Sequence, residues 1–254
     1  MPLALDLTDR VVLITGAARG LGFAIAEGFA SAGARVILNG RDEKALDLAR
    51  NKLAGKGFDV NTAVFDVADP DSVATGVGTL EALHGRIDIL VNNAGIQRRN
   101  PIEAFTKADW DALMATNLTA PFLMAQAVVP GMKARGRGAI LNLASLTSEL
   151  GRSTIIPYTV TKGGMRQMTR GLAVELGATG IRVNAIAPGY FVTEMNRALI
   201  DNPEFDAFVK LRTPMKRWGN PDELAGIAVF LCSDLASYIT GQTIFVDGGM
   251  AISM

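Results

Sequence analysis

Thiols and imidazoles are nearly missing from this chain. Its 254 residues include one cysteine, Cys232, and one histidine, His84. A disulfide within the chain is therefore excluded, and Cys232, in the apolar stretch "VFLCSD", reads as a buried packing thiol. A tetrahedral zinc site of Cys and His cannot be assembled, so no metal is expected and zinc-type alcohol dehydrogenase chemistry is excluded. A Ser-His-Asp hydrolase would need His84, which "ALHGRID" places near a helix end in a solvated or capping role. An excess of charge is missing too: Lys plus Arg and Asp plus Glu stand at 25 each. Nucleic acid, whose phosphates reward a basic face, is not an expected partner. No uninterrupted apolar run approaches the roughly 20 residues that span a bilayer, so no membrane partner is expected. "MPLALDLTDR" has no basic stretch followed by a long apolar one, so it does not read as a secretory signal, and a cytoplasmic location is expected.

What the chain has is apolar material, 49% of residues, in a regular alternation. Short β-branched runs ("RVVLITG", "ARVILNG", "VNTAVFDV", "RIDILVNNAG", "GRGAILNLAS", "GIRVNAIAPG", "GQTIFVDGG") are separated by longer helical patterns. The strands are apolar throughout rather than alternating, as in a parallel sheet buried on both faces. The expected fold is α/β: one Rossmann-type, doubly wound parallel seven-stranded sheet with helices on both faces, filling a single domain over 1–254. Long helices are expected around 107–134 and 157–178, with another near 221–232. The least regular stretch, roughly 189–219, reads as a substrate lid.

Directly after the first strand stands "TGAARGLG". Glycines at a strand-to-helix turn let the backbone approach a pyrophosphate, and the helix N-terminus supplies free N–H donors. Gly16, Arg19, Gly20, Leu21 and Gly22 are thus candidate cofactor contacts, although the spacing is G-x-x-x-G-x-G rather than the usual fingerprint. An enzyme selecting NAD presents a carboxylate at the end of strand two. Here Asn39 stands there, Arg41 follows, and Arg19 lies within reach. Two guanidiniums without an opposing carboxylate suit a 2′-phosphate, so NADP(H) is expected in preference to NAD(H). Asp66, with Val67, ends strand three, where it could bond the adenine amino group. Asn93, Ala94 and Gly95 end strand four, at the edge where open α/β sheets bind ligands.

Strand five ends at Ser145, and Tyr158 follows thirteen residues later with Lys162 four beyond. A four-residue gap on a helix makes Tyr158 and Lys162 neighbours on one face. A nearby ammonium lowers a phenol's pKa, which fits the tyrosine for proton exchange with a substrate hydroxyl. Ser145 would hold the substrate oxygen, and Lys162 could also bind the ribose.

Taken together, "TGAARGLG", "NNAG", Ser145…Tyr158-x-x-x-Lys162, "NAIAPGY" and the closing "FVDGG" resemble the short-chain dehydrogenase/reductase family over essentially the whole chain. The resemblance implies a nicotinamide cofactor and a fourth catalytic residue, Asn117 in "MATNLTAPF", supporting a proton relay from the lysine. It further implies that Pro188, Gly189 and Thr193 line the nicotinamide half of the cofactor. A homotetramer is implied as well, joined through the two long helices and the C-terminal strand region. One departure is Thr161, where the family usually carries serine.

For the substrate, Arg98 and Arg99 follow "NNAG" at the mouth of the site, and Glu149 and Arg152 lie on the loop before Tyr158. Arginines facing a cleft suit an anionic substrate, and one or two of the three are expected to touch it. "NNAGIQRR", "SELGR" and "TPMKRWGNPDEL" resemble the branch of the family that interconverts gluconate and 5-dehydrogluconate, so a small-molecule sugar acid is expected. A deoxygluconate dehydrogenase and a 3-oxoacyl-carrier-protein reductase are the alternatives; the latter would use Lys133, Arg135 and Arg137 to dock an acidic partner. A nucleotide-sensing regulator is the non-enzymatic alternative.

Overall fold

The computed structural model describes residues 5–253. Seven parallel strands form one sheet: β1 Val11–Thr15, β2 Arg35–Gly40, β3 Val60–Val64, β4 Ile89–Asn92, β5 Gly138–Leu143, β6 Ile181–Pro188 and β7 Thr243–Val246, in the spatial order β3-β2-β1-β4-β5-β6-β7. The order reverses between β1 and β4, which opens a crevice at their carboxyl ends. Burial is two-sided. Val12 and Ile14 of β1 pack into one core with Ile25 and Phe29, while Val11 and Leu13 face a second with Val77, Leu80 and Met124.

The helices are α1 Gly20–Ser31, α2 Glu43–Ala54, α3 Pro70–His84, α4 Lys107–Met114, α5 Ala120–Ala134, α6 Ile156–Leu176, α7 Arg197–Ile200, α8 Pro203–Arg212 and α9 Ala225–Cys232. Local chemistry sets their ends. Asp42 accepts from the Ala45 amide at 3.1 Å to start α2, whose buried residues Leu46, Ala49 and Leu53 follow helical spacing. Pro70 opens α3, and Gly85, at φ +75°, closes it just after His84. Cys232 ends α9 and is buried, and its desolvated thiol is pushed up to about 12.

Two expectations change here. Helices α4 and α5 form one run, Lys107–Ala134, broken only by a π turn at Ala115–Thr119, and this run is apolar enough to cross a membrane by length and composition. Counting uninterrupted apolar residues misses it, because Asn117 and Gln126 divide the run. Its buried face, with Leu113, Ala120, Met124, Val128 and Met132, packs within the molecule. The 189–219 stretch is not irregular. It leaves the sheet after β6 and returns through a bridge between Phe191 and Gly219, carrying α7 and α8 between. Asn202 caps α8 by accepting from the Glu204 and Phe205 amides at 3.0 and 3.1 Å. The C-terminal segment braces it: Arg212 donates to the Ser253 carbonyl at 3.3 Å, and Met250 is buried while Ile252 is exposed.

Candidate active site

The glycine turn is held from behind. Asn93 donates from Nδ2 to the carbonyl oxygens of Thr15 and Gly16, both at 2.9 Å, while Thr15 Oγ1 accepts from the Asn93 and Ala94 amides at 3.0 Å. The Asn93 side chain therefore shapes the turn. A Cβ on Gly22 would fall 2.4 Å from Asn93 Nδ2 and 2.5 Å from the Gly16 carbonyl oxygen. At Gly20 the backbone has φ +60° and nothing lies within 4 Å of the Cβ position, so the mouth of α1 faces open space. Arg19 stands at the N-cap without a side-chain cap, which leaves the first-turn amides free for an anion. A glycine cradle opening on uncapped amides fits the pyrophosphate of a dinucleotide. Leu21 packs partly on the core.

Arg19 and Arg41 do have acid partners, contrary to the sequence expectation. Arg19 pairs with Glu194 at 3.1 Å and Arg41 with Asp66 at 3.5 Å. Both arginines are more than 70% exposed, and exposed pairs of this kind are worth about 0–1 kcal/mol, so both remain able to take a phosphate. Asn39 is buried, and its Nδ2 donates to the Ala63 carbonyl of β3 at 3.1 Å and the Phe65 carbonyl just beyond it at 3.2 Å, which ties β2 to its neighbour. Asp66, besides meeting Arg41, accepts from the Ala68 amide at 2.9 Å, and Val67 is buried. Gly189 donates its amide to the Val246 carbonyl at 3.0 Å, just after Pro188 ends β6. Thr193, half-buried, precedes a 3₁₀ turn over Glu194–Asn196.

Ser145, Tyr158 and Lys162 come together at the carboxyl edge of β5 and the first turns of α6. Ser145 Oγ accepts from the Thr147 amide at 3.1 Å and the Thr147 hydroxyl at 3.0 Å, which leaves its own proton for the hydrogen bond to the Tyr158 phenol. Lys162 is 4% exposed; it donates from Nζ to the Leu143 carbonyl at 2.5 Å and lies 5.6 Å from the Tyr158 ring centroid. Burial pushes its ammonium down to about 8. The Tyr158 phenol sits above its ordinary value: burial raises it, and the Ser145 hydrogen bond and the Arg99 charge oppose that. Arg99 is thus a second cation acting on the phenol, beside Lys162 at 5.6 Å from the ring centroid.

Asn117 is fully buried within the π turn. Its amide accepts from the Ile96 N–H at 2.8 Å and donates to the Ile96 carbonyl at 2.9 Å, which fixes the chain just beyond Gly95. Thr161, also buried, donates to the Tyr158 carbonyl at 2.7 Å. A hydroxyl is what this position uses, so threonine serves where serine is usual.

The arginines divide. Arg98 pairs with Asp109 in the capping box of α4, and Glu149 pairs with Arg166 on α6. Arg99 and Arg152 have no carboxylate partner among the described residues. Arg152 donates to the Tyr190 hydroxyl at 2.8 Å and lies 4.7 Å from the centre of the Phe205 ring. Burial and the Arg152 charge lower the pKa of Arg99, while Tyr190 and Tyr158 raise it, so these four side chains form one electrostatic group. Tyr190 was not singled out from sequence; its only signal is an aromatic residue following Pro188–Gly189. It meets Phe205 and Trp218 edge-on, each at 5.5 Å between ring centres.

A phosphate cradle at the switch point of a parallel sheet, beside a buried lysine with a half-buried tyrosine and serine, defines a nicotinamide-dependent oxidoreductase. The chain belongs to the short-chain dehydrogenase/reductase family. A family model described as enoyl-(acyl carrier protein) reductase matches residues 16–251. The chain is 48% identical to gluconate 5-dehydrogenase of Gluconobacter oxydans, over 98% of this chain and 97% of that one. It is 44% identical to 5-keto-D-gluconate 5-reductase of Escherichia coli, over 98% of each. Among solved structures, a gluconate 5-dehydrogenase from Burkholderia cenocepacia in complex with NADP and tartrate superposes with a TM-score of 0.96 at 47% identity, over 98% of each chain.

Proposed function

We propose that this enzyme interconverts gluconate and 5-dehydrogluconate with NADP(H). The observation that carries the reading is the Arg99–Arg152 pair: two guanidiniums without an acid partner among the described residues, grouped with the Tyr158 and Tyr190 phenols. Guanidinium forks match a carboxylate, and a sugar acid supplies one at the end remote from its ketone. The similarity to gluconate enzymes at 44–48% identity supports the same choice.

Gly16, Arg19, Gly20, Leu21 and Gly22 would hold the cofactor's pyrophosphate, and Arg19 and Arg41 the 2′-phosphate. Asp66 and Val67 would meet the adenine, with Ala94, Gly95, Pro188, Gly189 and Thr193 along the remainder. When bound, NADP(H) donates hydride to, or accepts it from, the carbon bearing the reacting oxygen. Ser145, its lone pairs engaged by Thr147, donates a hydrogen bond to that oxygen. Tyr158 gives it a proton during reduction and takes one back during oxidation. A phenol raised by burial keeps its proton at neutral pH, which suits the reductive role. Lys162 steadies the phenolate as it forms, and Asn117 fixes the loop that closes the proton route. The 189–219 excursion would cover the substrate as a lid.

We extend the reading to a homotetramer in the cytoplasm. Supporting apolar surface includes Phe122 on α5 and Val174 on α6, 49% and 87% exposed. The carrier-protein alternative loses its support: Arg135 contacts Glu81 and the Ile87 carbonyl, and Arg137, just before β5, pairs with Asp234 at the sheet edge opposite the site. The test is to incubate gluconate with NADP⁺ and follow absorbance and the ¹³C spectrum. NADPH formation with a new ketone at carbon 5 is expected; no oxidation of gluconate, alongside oxidation of a deoxygluconate, would move the substrate.

A further inference from the structure

Arg152 faces two ways. Its backbone belongs to the loop between Ser145 and Tyr158, while its guanidinium is held by the excursion after β6. The contacts are a 2.8 Å hydrogen bond to the Tyr190 hydroxyl and stacking 4.7 Å from the centre of Phe205 in α8. Tyr190 is itself wedged edge-on between Phe205 and Trp218, and Trp218 donates from Nε1 to Asp206 at 2.8 Å. The tyrosine ring is thus fixed by packing, and its hydroxyl has one course open: it accepts from Arg152 and keeps its own proton to donate. Without that contact a long, charged side chain would be free to swing away from Arg99, whose like charge repels it.

We infer that Tyr190 is a positioning residue for anionic specificity, its hydroxyl holding the Arg152 guanidinium where Arg152 and Arg99 together grip one carboxylate of the substrate. The inference rests on the sugar-acid reading. It makes the lid a part of recognition, because the residue that orients Arg152 is also the hinge side of the segment carrying α8. A neutral ketose, lacking the carboxylate, gains nothing from this arrangement.

The test uses the full chain in a Trp110→Phe background, so that Trp218, beside Tyr190, is the remaining tryptophan. Tartrate, a dicarboxylate, is titrated against Trp218 fluorescence with NADP⁺ present. Initial rates with NADPH are measured for 5-dehydrogluconate and for the neutral ketose L-sorbose. Tyr190→Phe, which keeps the ring, is expected to weaken tartrate binding about tenfold, about 1.4 kcal/mol. It is also expected to raise KM for 5-dehydrogluconate by a similar factor, several times more than it raises KM for sorbose. Arg152→Ala should weaken tartrate binding and raise the 5-dehydrogluconate KM by at least as much, and adding Tyr190→Phe to it should do no more. Unchanged tartrate binding in Tyr190→Phe, equal losses on both substrates, or additive effects in the double variant would overturn the inference. Such results leave the sugar-acid reading standing if the parent binds tartrate and prefers the acid. A parent that binds no tartrate and prefers sorbose removes both.

Discussion

Lys162 is tethered through its Nζ to the carbonyl oxygen of Leu143, at 2.5 Å, two residues before Ser145. One backbone oxygen thereby sets the distance between the last turn of β5 and the first turns of α6, and with it the spacing of Ser145, Tyr158 and Lys162. The tether also explains why a buried ammonium is tolerated here, since the charge has a fixed acceptor.

Burial has a measurable consequence for Lys162. Its folded-state pKa is pushed down to about 8 from an ordinary 10.5. Between those values the unfolded chain binds the proton more tightly, so this group's contribution to stability rises with pH across that window. The desolvation cost is fully present below pH 8 and relieved by about pH 10.5. Denaturant midpoints of the cofactor-free protein should show the wild type gaining about 1–3 kcal/mol on Lys162→Met between pH 8 and 10.5. A difference that stays flat or falls would contradict the assignment.

Tyr158→Phe removes the proton donor and keeps the ring that packs beside Lys162. The expected result is a fall in kcat of about 10²–10⁴-fold or more, with the NADPH dissociation constant changed less than about threefold. Comparable loss of NADPH binding would mean that the phenol shapes the cofactor site instead of serving the chemistry.

Gly22 and Gly20 should separate space from backbone strain. Gly22→Ala places a Cβ against Asn93 Nδ2 and the Gly16 carbonyl oxygen and should weaken NADPH binding more than about tenfold. Gly20→Ala meets no atom in the free protein and strains only a φ of +60°, with a stability cost of about 1 kcal/mol. Thermal melts and cofactor titration on both variants distinguish the two effects.

Arg19→Ala combined with Arg41→Ala should lower kcat/KM for NADPH about 10–100-fold while leaving the NADH value within about threefold, because only the former carries the 2′-phosphate. Equal loss with both cofactors would show that the surface pairs with Glu194 and Asp66 matter more than phosphate binding.

How much was legible in the sequence depends on how local the signal is. The glycine turn, the Tyr158–Lys162 spacing and the parallel order of strands arise from patterns within a few residues, and the sheet follows them closely. Arg98 and Arg99 show the opposite case. Adjacent in an irregular loop, they are told apart only by Asp109, eleven residues on, which captures one and leaves the other. Asn39 stands next to the end of β2, and its side-chain amide is taken up by the Ala63 carbonyl of β3 and the Phe65 carbonyl just beyond, partners that no local pattern announces. In the 189–219 stretch the proline and glycine content suggested a loop. The informative signal was Asn202–Pro203–Glu204 with Lys210 and Arg212 at the far end, a start and stop for a short helix. Tyr190 had no such cue, since its role depends on three aromatic rings brought together by α8.

The most direct test of the account is the kcat/KM of the wild-type enzyme for 5-dehydrogluconate with NADPH, set beside a short 3-oxoacyl thioester under the same conditions. An advantage for the sugar acid of about 100-fold or more is expected on the proposal that Arg99 and Arg152 receive its carboxylate. A thioester turned over as well or better would contradict the claim that Arg99 and Arg152 define the substrate.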